Sequence, residues 1–133
     1  MRLHRNKGEV GKLMPGTARS FILFWKEDAA AWIYLLAAGI LETLWAVAMK
    51  ASNGFTLLIP SLITVLAMIG SVALLALAMK TLPLGTAYVV WTGIGAVGAF
   101  AAGVVIFGES LSLMRVTAAG FIVVGLIMMK ASA

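Results

Sequence analysis

From residue 31 onward the chain consists of long apolar runs separated by short polar breaks. The runs cover 31–49, 57–79, 84–107 and 112–129, each close to the ~20 residues that a membrane-crossing helix needs. Every break carries turn chemistry: Lys50-Ala51-Ser52-Asn53-Gly54, then Lys80-Thr81-Leu82-Pro83, then Gly108-Glu109-Ser110. Connections this short make adjacent helices antiparallel. Pro60 falls in the opening turn of the second run, where its missing N–H costs little, and reads as punctuation and not as a kink. The predicted fold is an all-α membrane protein with a four-helix domain over 30–133, preceded by a basic arm over 1–29.

Composition agrees with the pattern. At 62% hydrophobic and 11% charged residues, too little polar surface exists to clothe a soluble domain. The expected location is the inner (plasma) membrane, crossed several times. With no cysteine and one histidine, His4, the sequence offers neither a disulfide framework nor a cluster of metal ligands, and no cofactor is expected. No GxxxxGK[ST] loop is present, so any pumping draws on an ion gradient or a separate subunit. No enzyme activity is indicated. A bundle of four helices can hardly enclose a path for a solute, so an oligomer is expected. Gly95, Ala99 and Gly103 recur at the spacing that lets a second helix approach closely. Gly93 and Gly95 could equally let the third helix bend, and spacing alone leaves both readings open.

Charge bears on topology. Past the arm, Lys80 and Lys130 fall on one side of the membrane and Lys50 and Arg115 on the other. An even count gives no positive-inside preference and permits insertion both ways, which would allow head-to-tail pairing. The arm opposes this, since Arg2, Arg5, Lys7, Lys12, Arg19 and Lys26 would hold one side in the cytoplasm. Its apolar stretch is too short for a signal peptide. Phe21, Ile22, Phe24 and Trp25 beside Lys26 suit an interfacial segment on anionic headgroups, and nothing accompanies the arm that would read nucleic acid. The other reading is a natural start near Ala31, with the arm not native.

One residue breaks the apolar pattern. Glu42 is the only acidic side chain inside the four runs, and a charge at that depth costs at least ~2.5 kcal/mol, so an intramembrane acid is by default a binding, ion-pathway or proton-relay group. Gly39 and Trp45 lie three residues to either side and share its helical face, giving bare backbone on one flank and an indole N–H on the other. Tyr88 and Trp91 repeat that spacing in the third run, and Ser71 offers a hydroxyl from the second. Together these residues could wall a cation pocket. Trp32 and Tyr34 read as interfacial belt residues, and Glu109 and Arg115 as solvated loop charges.

The stretch Trp32-Ile33-Tyr34-Leu35-Leu36-Ala37-Ala38-Gly39-Ile40-Leu41-Glu42-Thr43-Leu44-Trp45-Ala46 resembles the first helix of the small multidrug resistance family. The segment from Lys80-Thr81-Leu82-Pro83 through Tyr88-Val89-Val90-Trp91 to Gly95-Ala96 resembles that family's third-helix signature, and the likeness covers about residues 30–133. It implies proton-coupled export by an antiparallel, dual-topology homodimer. Trp45-Ala46 after the glutamate and Lys80 before the Pro-x-Gly turn are similar to the guanidinium-exporter branch, whereas the quaternary-ammonium branch usually has Gly-Thr in place of Trp45-Ala46. By that resemblance Glu42 binds both proton and substrate, Trp45 and Ser71 are its hydrogen-bonding partners, and Tyr88 and Trp91 line the site. The arm departs from the family, whose members usually begin just before the first helix.

Guanidinium chemistry fits such a site. A planar cation with N–H donors and no acceptor pairs best with a carboxylate accepting two parallel bonds, and two copies of Glu42 facing one cavity would supply it. Protons and cation would compete for the same oxygens. Two other functions carry expectations of their own. A broad exporter of quaternary ammonium compounds would use aromatic faces, against which Trp45-Ala46 argues. A non-transporting membrane subunit would leave Trp45, Ser71, Tyr88 and Trp91 without a task. A paralogous chain replacing one copy of the dimer is compatible with the sequence.

Overall fold

The computed structural model describes residues 16–133, apart from the side chains of residue 17 and residues 19–27. Most of the expected arm, including the interfacial side chains Phe21, Ile22, Phe24 and Trp25, therefore lies outside the described residues. Among the described residues the chain is all helical: α1 (Gly16–Ala51), α2 (Leu58–Ala78), α3 (Leu84–Val105) and α4 (Leu113–Ser132). Each is long and apolar enough to cross a membrane, α1 through its Asp28–Ala51 portion. At 1.5 Å per residue the shortest of the four is about 30 Å long, the thickness of the hydrocarbon layer.

The polar breaks become turns for local reasons. After α1 the buried Ser52 donates its hydroxyl to the Met49 carbonyl at 2.7 Å and accepts the Phe55 amide at 3.0 Å. Asn53, Gly54 and Phe55 all adopt positive φ, which reverses the chain within a few residues. Pro60 occupies the first turn of α2, and its carbonyl accepts the hydroxyl of the buried Thr64 at 2.8 Å. Pro83, at φ −58° and ψ 147°, stands immediately before α3 and sets an extended entry that a proline prefers. Gly108 has φ 65°, and the Glu109 amide returns to the Gly103 carbonyl at 3.0 Å. Ser112 caps α4 by accepting the Arg115 amide at 3.2 Å.

Helix boundaries differ from the apolar runs at several places. The first helix is continuous from Gly16, well before residue 31, since nothing between Gly16 and Asp28 breaks it. The third ends at Val105, because Ile106 and Phe107 already form the turn. The fourth runs to Ser132 and takes in Lys130, a charge that suits a last helical turn; its ammonium sits 4.6 Å from the Trp32 ring centre. Helix α1 is the hub, packed chiefly on α2 and α3, while α4 leans on α3. The interior is built from small residues, with Ala38, Ala78 and Ala87 fully buried beside Leu35 and Trp91. Small side chains let the backbones approach in a solvent where apolar burial alone drives no association. Large aliphatic residues such as Leu58, Ile59 and Leu66 face outward, and α4 buries no residue.

Candidate functional site

Glu42 projects from the middle of the membrane-crossing part of α1, Asp28–Ala51, toward α3 and lies against Gly95. A Cβ at Gly95 would overlap the Glu42 carboxylate, so the bare backbone there is what makes room for it. The Glu42 Oε2 atom is buried without a hydrogen-bond partner, and so is the Trp45 Nε1 atom one turn further along α1. Among the described residues the ion pair formed is Arg115–Glu109, far along the chain at the α3–α4 turn. The acid thus has an unused acceptor, and a donor with no acceptor stands on the same helical face.

Around this pair the other expected residues fall into two groups. Ser71, fully buried in α2, donates to the Ala38 carbonyl at 2.6 Å and accepts the Trp91 Nε1–H at 3.0 Å. Those bonds tie α1, α2 and α3 together at one level. Ser71 is therefore engaged with Trp91 and the backbone in the single chain, where the resemblance implied a bond to Glu42. Tyr88 stacks edge-on against Trp91, ring centres 5.4 Å apart at 61°. Trp91 is 8% exposed and Tyr88 49%, so the phenol is open to an adjoining cavity or partner while the indole is locked.

The glycines act as seats for side chains. Gly39 accommodates Ile94, whose Cγ2 would lie 2.6 Å from an added Cβ, and Gly93 accommodates Leu126 of α4. Gly98 seats Thr43, the neighbour of Glu42, whose hydroxyl turns back to the Gly39 carbonyl at 3.3 Å. Gly103 seats Glu109, with the carboxylate carbon 2.8 Å from where a Cβ would stand. Ala99 and Gly103 border a cavity of about 150 Å³ whose wall also holds Ala46, Lys50 and Glu109. Thr43–Gly98 and Glu109–Gly103 were not singled out by sequence reasoning. The four-residue step Gly95, Ala99, Gly103 signalled the Gly103 seat, whereas neither Thr43 nor Gly98 lies on that step and no sequence signal marked their pairing.

Glu109 and Arg115, expected as solvated charges, pair at 3.0 Å with roughly two fifths of each side chain exposed. Arg115 also lies 5.3 Å from the Phe100 ring centre. Among the described residues no group of His, Cys, Asp and Glu is placed to hold a metal.

Among the described residues, four spans and a carboxylate seated on a glycine with one oxygen buried and unpartnered define a small helical multi-pass membrane protein. The Small Multidrug Resistance protein family matches residues 30–127, and the chain belongs to that family, as a multi-pass protein of the inner membrane. Similar relatives are a "Guanidinium exporter" of Citrobacter freundii, 56% identical over 102 residues, which are 77% of this chain and 97% of the relative. Another of the same description from Salmonella typhi is 56% identical over 103 residues, 77% of this chain and 98% of the relative. A third, from Yersinia pseudotuberculosis serotype I, is 57% identical over 100 residues, covering 75% and 96%.

Proposed function

We propose that the chain exports guanidinium, or a substituted guanidinium, in exchange for protons, with both bound in turn by Glu42. The observation that carries this reading is the Glu42 Oε2 atom, buried and without a partner. An ionised acceptor left bare in an apolar surround needs either a proton or a cation with N–H donors, and the two cannot occupy it together. The relatives described as guanidinium exporters name a cation of that chemistry. Trp45 and Tyr88, one unpaired and one half-exposed, would complete the wall. Ser71 holds Trp91 in place and becomes available to substrate only if that bond exchanges.

The working unit we propose is an antiparallel homodimer. A single chain leaves the Tyr88 side of the site open and buries nothing on α4. Past the arm, the even split of Lys80 and Lys130 against Lys50 and Arg115 permits both insertions, which the arm's six basic residues oppose. In such a dimer the inward-facing and outward-facing states are nearly one structure with the subunits' roles exchanged, so little energy separates them. Exchange follows when a proton-loaded or cation-loaded dimer changes facing and an empty one does not. Inward protons then drive outward guanidinium.

Uptake into proteoliposomes with an acidic interior tests this. Guanidinium should accumulate against its gradient with the wild-type chain and not with Glu42→Gln. Movement of quaternary ammonium compounds without guanidinium would replace the substrate, and movement of neither would refute transport.

A further inference from the structure

A groove runs over α3 between α1 and α4, along the face that carries Val90, Ile94 and Val97. Its wide end, about 630 Å³, is bounded by Trp32, Leu36, Ile94, Leu126 and Ile127, with Lys130 at its rim. A narrower part of about 430 Å³ continues past Ile94 and Leu126 to Ile40 and Thr43. The walls are apolar almost throughout, and α4 spans the membrane without burying a residue. Inside a bilayer such a cleft is filled by lipid or by protein.

We infer that this groove binds one anionic phospholipid, its acyl chain along the cleft and its phosphate on Lys130. Length is the first argument. From Trp32 to Thr43 the groove follows α1 for about 16 Å at 1.5 Å per residue, which matches one leaflet of a hydrocarbon core ~30 Å thick. A helix from a second copy would instead run the full thickness. Charge is the second argument. The Lys130 ammonium stands at the mouth, 4.6 Å from the Trp32 ring centre, where an indole and a basic side chain sit at headgroup level. A second copy placed over the mouth would bury that ammonium among apolar side chains, whereas a phosphate neutralises it. The thickness match selects a chain of one leaflet, and the ammonium selects an anionic head over a zwitterionic one.

The inference does not depend on transport, and its test can be run on the Glu42→Gln chain as well as on the wild type. Trp32 emission, isolated by comparison with Trp32→Phe, is measured in membranes containing phospholipid brominated on its acyl chains. Brominated phosphatidylglycerol should quench Trp32 several-fold more effectively than brominated phosphatidylcholine at equal mole fraction. Lys130→Gln should abolish that preference and Lys130→Arg should retain it. Equal quenching by both lipids would reduce the site to ordinary lipid contact. Absence of quenching by either would mean that protein, such as a second copy, covers the groove. Either result overturns the proposal.

Discussion

A methyl group added at Gly95 would occupy the space of the Glu42 carboxylate, so Gly95→Ala moves the acid or the helix that carries it. Overpacking at such a contact costs about 1–3 kcal/mol, and the carboxylate is the flexible party. Gly95→Ala should therefore weaken guanidinium binding by about tenfold, the equivalent of ~1.4 kcal/mol, with little change in thermal midpoint; calorimetric titration in detergent would check it. Unchanged affinity would mean that the acid does not need this seat. Gly98→Ala meets Thr43 in the same way but leaves the Glu42 oxygens alone, and serves as the control. At Glu42 itself the sign of the pH effect is fixed by the chemistry: protonation removes the acceptor charge. Guanidinium affinity should fall as pH falls through the titration of Glu42 and level off above it, and a pH-independent dissociation constant would exclude competition.

Helices α1, α2 and α3 are joined at one level by Ser71, which serves the Ala38 carbonyl and the Trp91 indole at once. Ser71→Ala strands a buried N–H, and should lower stability by about 1 kcal/mol, the scale for polar bonds between membrane helices. A lower denaturation midpoint in detergent, with Trp91 emission shifted, would show it; an unchanged midpoint would mean that the bond contributes nothing. At the α3–α4 turn the exposed Arg115–Glu109 pair belongs to the class worth 0.2–1 kcal/mol. Glu109→Gln should therefore leave transport intact, as measured by uptake rate. The spans and turns were legible in the sequence because membrane length and Gly/Pro chemistry are local properties. The grouping of Gly39, Glu42 and Trp45 on one face was legible because helical spacing is local too. Partners from different helices were not: nothing in the sequence distinguishes Trp91 from Glu42 as the neighbour of Ser71. That choice depends on how α2 and α3 are rotated about α1. The start of α1 at Gly16 was also hidden, because the charged stretch before Asp28 has no membrane-length signal and no breaker.

At the scale of the whole molecule, a bundle with few buried large side chains and an unburied α4 suits a chain completed by another copy and by lipid. If both copies contribute Glu42 to one cavity, mixing wild-type and Glu42→Gln chains should lower transport more steeply than the fraction of mutant, because each mixed dimer is impaired. A linear decline would point to independent single-chain sites. The central claim, that one carboxylate is shared by proton and cation, is tested most directly by proton release. Guanidinium is added to the purified chain in weakly buffered detergent, at a pH where Glu42 is partly protonated, and the change in pH is recorded. The wild type should release protons as the cation binds, and Glu42→Gln should release none. Binding of guanidinium to the wild type without proton release would contradict the account.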